Sequence, residues 1–263
     1  MIRYAHDVEL WSADRVWTRI ESLAREGPGG VIATDADGTL WSGDVGEDLF
    51  HAFVKHGRVE APAIEAMRAE ARAHALSDAG SGPDIARRIY AAYLEGRFPE
   101  DRMCELMTWA FAGWTQSEVR AFARGVVEGV ELASRLNDEV LRVIERARAA
   151  AIDVLIVSAS PMDVVIEAAR RVGFEEGDVV AARARFDGAV MLARVERPIP
   201  YAEGKVTRLR ERIGPGRSLY AAFGDNAFDV ALLASARLGV AVRPKARLRE
   251  RAAQVEGLVE LAP

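Results

Sequence analysis

Residues 31–41 read VIATDADGTLW. VIAT is a short, apolar, β-branched run of the kind buried in a parallel sheet. It leads straight into two carboxylates, Asp35 and Asp37, followed by Gly38 and Thr39. Neighbouring carboxylates repel each other and are costly to take out of water. A chain that places two of them where a buried strand ends must compensate them from elsewhere.

Working outward, residues 14–25 carry Val16, Trp17, Ile20 and Leu23 at helical spacing, and GPGG at 27–30 stops that helix. Downstream, residues 41–131 read as helix throughout, with stretches at 60–76, 84–95, 99–112 and 116–127. A helix ahead of these opens at Asp44-Val-Gly-Glu47, a capping-box pattern, with Val45, Leu49, Phe50, Phe53 and Val54 inward. A further helix starts at Asn137 and feeds IDVLIV at 152–157, a second buried strand, and residues 162–172 are again helical. VVAARARFDGAVMLARV at 179–195 reads as two extended segments about the turn Asp187-Gly188. A loop at 197–204, a helix at 205–213, a strand at 219–223, a helix at 228–236, a strand at 239–242 and a helix near 245–254 complete the chain.

Alternating strands and helices predict an α/β fold with a mostly parallel sheet covered by helices. The interval between the strands at 31–34 and 152–157 far exceeds a crossover of about a dozen residues, so a helical unit is inserted there. The expected organisation is a core of residues 1–44 and 131–263 and an all-helical unit of residues 45–130.

The composition is that of a globular protein: 263 residues, formal charge −5, 50% hydrophobic. Lys and Arg are mixed with Glu and Asp and form no basic run, which argues against a nucleic-acid partner. The one cysteine, Cys104, allows no disulfide within the chain. The start, MIRYAHDVELW, carries no apolar leader-type run, and no stretch approaches the roughly 18 apolar residues of a membrane span. A cytoplasmic protein, monomeric or homodimeric and without a membrane partner, is expected.

Ligands of open parallel sheets bind beyond the carboxyl ends of the strands. Those ends carry Asp35 and Asp37, then Ser158, Ala159 and Ser160, then Asp225 with Asp229 one turn on; Lys205 begins a helix between them. Taken singly, each has an ordinary reading as turn former, strand end or helix cap. Together, three carboxylates suit a hard cation such as Mg²⁺, which retains waters and shares a substrate phosphate. Ser158, Lys205 and the backbone around Gly38 suit a phosphoryl group. One carboxylate can then attack phosphorus while a second moves a proton.

DADGTLW at 35–41, IVSAS at 156–160, EGK at 203–205 and GDNAFD at 224–229 resemble, in order and spacing, the four motifs of the haloacid dehalogenase-like superfamily. With AVRPK at 241–245 they look most like its phosphoserine-phosphatase-type branch. The resemblance implies a Rossmann-like core with helices on both faces of the sheet and an inserted helical cap domain. Asp35 would be the nucleophile and Asp37 the general acid and base. Asp35, Asp37 through its backbone carbonyl, and Asp225 would hold Mg²⁺. Ser158, Ala159, Gly38 and Lys205 would bind phosphate, and Asp229 would orient the metal surroundings or Lys205. The implied activity is hydrolysis of a small phosphorylated metabolite through an aspartyl-phosphate. The alternatives are a phosphotransferase or mutase using the same intermediate, or an inactive relative that binds a phosphorylated ligand.

Two departures from the branch pattern bear on detail. Phe228 stands where Asn often precedes the last Asp of the fourth motif. The substrate-reading glutamate nine residues after the nucleophile is replaced by Asp44, and the cap arginine has only Arg97 and Arg102 as unaligned counterparts. Trp41, Asp44 and Glu47 are the residues expected to read the leaving group. The aromatic stretch 107–114 reads first as cap core, with a cage for a quaternary amine as the second reading. Cys104 reads as a small core residue, and His51, His56 and His74 as surface or satisfied histidines.

Overall fold

The computed structural model describes residues 8–263; the opening residues 1–7 of the expected core lie outside the described part. In chain order the elements are β1 (Glu9–Trp11), α1 (Ala13–Glu26), β2 (Val31–Thr34), α2 (Val45–His56), α3 (Ala61–Ala73), α4 (Gly82–Leu94), α5 (Glu100–Trp109) and α6 (Gln116–Gly129). There follow α7 (Asp138–Ala149), β3 (Asp153–Pro161), α8 (Met162–Arg170), β4 (Val179–Ala182), β5 (Ala184–Asp187), β6 (Val190–Val195) and α9 (Glu203–Ile213). The last elements are β7 (Leu219–Gly224), α10 (Val230–Ala234), β8 (Gly239–Ala241), α11 (Ala246–Arg251) and β9 (Val259–Leu261).

Seven strands form one sheet in the order β1-β9-β8-β7-β2-β3-β4. Every pairing in it is parallel. β2 lies between β7 and β3, and its last residue, Thr34, is level with Phe223 on one side and Ile156 on the other. The residues that follow these three strands therefore meet at one edge.

Alternate residues of the central strands face opposite layers, as the two-residue period of a strand demands. Ile32, Val154 and Ile156 join the apolar cluster that includes Val16, Ile20 and Leu23 of α1 and Val140 and Val143 of α7. Val31, Ala33, Leu155 and Val157 join Leu209 of α9, Leu232 of α10 and Leu248 of α11 on the other side. This is the Rossmann-like arrangement expected of an α/β chain, with the helices α2–α6 inserted between β2 and β3.

Three details differ from the sequence reading. VVAA is not the first arm of a hairpin. Val179 and Val180 pair with Ile156 and Val157, so β4 is an edge strand of the main sheet. The hairpin is β5–β6. The outermost pair, β1 with β9, was not expected; three residues are too few to show a period. Strand β3 also runs on through Ser158 and Ser160 rather than ending before them.

The two connections to the helical segment are bonded side by side. The Ser42 N–H donates to the Arg135 carbonyl at 2.8 Å, and the Asn137 N–H to the Leu40 carbonyl at 3.0 Å. A third attachment is the β5–β6 hairpin, which reaches the α5–α6 turn. Gly113 N–H donates to the Met191 carbonyl at 2.9 Å, Met191 N–H to Trp114 at 2.8 Å and Gln116 N–H to Ala189 at 3.0 Å. Met191 is buried there.

Candidate active site

β2 delivers Asp35 at its carboxyl end, where the Asp35 N–H still donates to the Phe223 carbonyl of β7 at 2.9 Å. Asp35 is 3% exposed, Asp225 1% and Asp229 0%. One carboxylate oxygen from each lies within 4.8 Å of the others. Lys205, in the first turn of α9, supplies the compensating charge. Its Nζ donates to Asp35 Oδ1 at 2.6 Å and to Asp229 Oδ1 at 2.5 Å.

The electrostatics follow from this packing. Burial, then the Asp229 charge, pushes the Asp35 carboxyl well above the usual range, against the opposing pull of Lys205. Burial and Asp229 push Asp225 up to about 6. Burial alone would lower the Lys205 ammonium, but the charges of Asp229 and Asp35 prevail and raise it. An ammonium fully out of water thus stays charged because two carboxylates hold it.

The three carboxylates are not equivalent. Asp229 spends its Oδ2 on the N–H groups of Asp225 (3.0 Å) and Asn226 (2.9 Å), and its Oδ1 on Lys205. It organises the turn after β7, with both oxygens engaged. Asp225 meets Lys245 Nζ at 2.8 Å through Oδ2, while its buried Oδ1 has no partner. Asp35 and Asp225 are therefore the pair suited to a cation. Gly38 allows this closeness: a Cβ on it would lie 2.2 Å from Asp225 Oδ2, and its φ of +80° favours glycine. An all-oxygen donor set with an orphaned buried carboxylate oxygen fits Mg²⁺.

Asp37 is held by three donors. Its Oδ1 accepts from Trp41 Nε1 and from the Val45 N–H, both at 2.8 Å; its Oδ2 accepts from Ser160 Oγ at 2.7 Å. Burial nevertheless raises its carboxyl, against the lowering effect of these bonds. Ser158 Oγ accepts the Ser160 N–H at 3.0 Å, which leaves its own proton to donate.

A cavity of about 360 Å³ opens over these groups. Asp35, Asp37, Gly38, Ser158 and Ala159 line its floor, and Asn226, Phe228 and Lys245 one side. The helical segment contributes the far wall with Asp44, Glu47, Tyr93, Glu100, Met103, Cys104 and Met107. The structure brings Asp35, Asp37 and Ser158 to the cavity floor and sets Asp225 beside Asp35. Lys205 is also there, but wholly buried behind Asp35 rather than on the cavity surface.

Trp41 corrects an expectation: it is buried, lies off the cavity, and binds Asp37 instead of a leaving group. Asp44 and Glu47 do line the cavity. Asp44 Oδ1 caps α2 by accepting the Glu47 N–H at 2.8 Å, and burial, with Asp37 nearby, pushes its carboxyl well up. Burial, with the Glu47 charge beside it, pushes the Tyr90 phenol up to about 12. Phe228, the departure noted in the fourth motif, places its ring 4.9 Å from Lys205 Nζ, a cation–π contact.

Cys104 faces the cavity, and burial pushes its thiol up, so it stays neutral. Glu100 and Met103 carry no signal in the sequence, and Lys245 entered it only as the end of the AVRPK stretch. Trp109, Phe111 and Trp114 form the interior of the helical segment, not a cage. His51, His56 and His74 each lie against an aromatic ring, of Tyr90, Trp114 and Phe98 respectively. Arg97 pairs with Glu95, and Arg102 with Glu70 and Glu105, so neither reaches the cavity.

A family model for haloacid dehalogenase-like hydrolases matches residues 32–234. No curated protein matches the chain. Among solved structures, a protein of unknown function from Bordetella pertussis Tohama I superimposes with a TM-score of 0.69 at 22% identity, over 88% of this chain and 97% of that one. A conserved protein of unknown function from Anaerococcus prevotii gives 0.62 at 18% identity, over 92% and 88%. A substrate-bound phosphoserine phosphatase gives 0.52 at 14% identity, over 88% and 92%. At these identities the likeness is one of fold.

Proposed function

The chain belongs to the haloacid dehalogenase-like hydrolases, and from that premise we propose that it is a Mg²⁺-dependent phosphatase of small phosphomonoesters. The observation that carries this reading is the floor of the cavity. There Asp35 faces open space with its charge held by Lys205, beside the unpartnered oxygen of Asp225.

Residues 1–44 and 131–263 act as the catalytic core and residues 45–130 as the cap. Asp35, Asp225 and the Asp37 backbone carbonyl would hold Mg²⁺, which when bound would neutralise phosphoryl charge and keep the carboxylates ionised. Ser158 Oγ, the Ala159 backbone and the Gly38 backbone cradle the phosphoryl oxygens. Lys205 acts through Asp35 rather than by touching phosphate: it fixes Oδ1 and keeps the nucleophile in place.

Asp35 attacks phosphorus, the ester P–O bond breaks, and Asp37 gives a proton to the departing alcohol oxygen. Water then attacks the phospho-Asp35, Asp37 takes up its proton, and inorganic phosphate and free Asp35 result.

The cap wall presents Asp44, Glu47 and Glu100, and no arginine lines the cavity among the described residues. A leaving group bearing a carboxylate is disfavoured there, and a neutral or ammonium-bearing alcohol is favoured. Phosphoserine is thus a poor candidate and a phosphorylated amino alcohol a better one. Among the described residues no helix is long and apolar enough to cross a membrane.

A panel of phosphorylated metabolites tests the reading by release of inorganic phosphate with Mg²⁺ present. Wild type is expected to hydrolyse some of them and Asp35→Asn none. Release by Asp35→Asn at a wild-type rate would sink the assignment.

A further inference from the structure

We propose that Trp41, Ser160 and the first turn of α2 form a clamp that sets the Asp37 carboxylate only when the cap is seated on the core. This rests on the phosphatase reading and concerns its proton-transfer residue. The three donors to Asp37 come from three different parts of the fold. Trp41 belongs to the outgoing connection, Val45 is the first residue of α2 and so of the cap, and Ser160 ends β3 of the core.

A carboxylate offers about four acceptor positions. Two on Oδ1 are taken by donors that cannot rotate away, an indole and a backbone N–H. One on Oδ2 is taken by Ser160. The position left open is on Oδ2, beside Ser160 in the cavity wall, and it is there that the leaving-group oxygen meets Asp37.

The contact between cap and clamp is tight. A Cβ on Gly46 would lie 2.8 Å from Ser160 Oγ and 3.1 Å from Pro161 Cδ. Glycine at this position lets the first turn of α2 descend onto the end of β3. The cap of α2 by Asp44 fixes that turn, so that the Val45 N–H points at Asp37. Seating of the cap and alignment of Asp37 are one event: lifting α2 removes a donor from Oδ1 and frees Ser160. Trp41, Ser160 and Gly46 are positioning residues in this scheme, since none of them need touch the reacting atoms.

The test is leaving-group dependence across aryl phosphates of similar size: 4-nitrophenyl, phenyl and 4-methoxyphenyl phosphate. Ser160→Ala, Trp41→Phe and Gly46→Ala are expected to lower kcat/KM for the phenyl and 4-methoxyphenyl esters about ten- to a hundredfold. The 4-nitrophenyl ester, whose leaving group needs little protonation, should lose less than about threefold, a shortfall below that of one hydrogen bond to a charged group. Inhibition by inorganic phosphate, measured alongside, should be unchanged and reports an intact phosphoryl site. Equal losses on all three esters, or no loss, with phosphate inhibition intact would overturn the clamp. A wild type inert towards all three and towards the metabolite panel would instead sink the phosphatase reading.

Discussion

Lys205→Met is the perturbation that tests the architecture of the site most directly. The Lys205 side chain is 0% exposed, and its two partners are 4% and 0% exposed. Removing its charge leaves Asp35 and Asp229 buried without a counter-ion, while Lys245 remains committed to Asp225. Breaking a buried ion pair by deleting one partner costs about 3–5 kcal/mol. Two partners are orphaned here, which pushes towards the upper end, and proton uptake by one carboxyl limits the total. The expected loss is ~4 kcal/mol in EDTA near neutral pH.

For a chain of this size that loss corresponds to a fall in Tm of roughly 8–16 °C. The sign of its pH dependence is fixed. The Asp35 carboxyl already lies well above the usual range through burial, and Lys205 is one of the influences holding it down. Without the lysine it binds its proton to still higher pH in the folded state than in the unfolded one. Stability of the variant is then greatest at low pH and falls as pH rises. The deficit against wild type should therefore shrink on acidification. In combination with Asp229→Asn the two losses should fall short of additive by about 1–3 kcal/mol, because the residues share a bond. A deficit under about 1 kcal/mol, strict additivity, or a deficit that grows towards low pH would refute the description of Lys205 as a buried counter-ion.

Other outcomes follow from the same geometry. Chelation should abolish phosphate release and Mg²⁺ restore it, and Mg²⁺ should raise the Tm of wild type but not of Asp225→Ala; metal-independent activity would rule out the cation site. In metal-free protein Asp225, at about 6 against an ordinary 3.8, binds a proton that the unfolded chain has lost, so stability should fall as pH rises through that window. A flat Tm across it would contradict the burial of Asp225. Gly38→Ala forces a Cβ into Asp225 at a positive φ and should cost activity and more than ~1 kcal/mol of stability, checked by urea denaturation. Asp44→Ala removes the α2 cap at about 1 kcal/mol and should lower discrimination between amino-alcohol and carboxylate-bearing phosphates. An unchanged substrate ratio would mean that Asp44 is a cap alone.

Much of the core was legible because its signals are local. VIAT and IDVLIV are β-branched runs buried on both faces, and parallel topology sends the residues after them to one edge. The places of Asp35 and Ser158, and of Asp225 after the run at 219–223, needed no more than that, whereas Lys205 was read from a helix start. The cap wall depends instead on how helices are rotated against one another, which no spacing in one chain specifies. Hence Cys104 read as core and faces the cavity, while Trp41 read as facing the ligand and is spent on Asp37. Both are apolar-looking side chains near the site, and only the direction of packing separates them. The strand β4 was misread because VVAA next to a true hairpin has the same composition as a hairpin arm; its partner, β3, is chosen by tertiary packing.

The attachment of the β5–β6 hairpin to the α5–α6 turn has a consequence for modularity. Chain connectivity suggests a cassette of residues 45–130 that could be exchanged with a relative to transplant substrate preference. The molecule is divided differently. Met191 sits buried against the cassette, and three backbone hydrogen bonds join residues 113–116 to the hairpin. A chimaera that exchanged the helices alone would leave those partners facing foreign backbone and Met191 without its socket. The transplantable unit is discontinuous: residues 45–130 together with 184–195, two pieces of chain that would have to travel, and to diverge, as one.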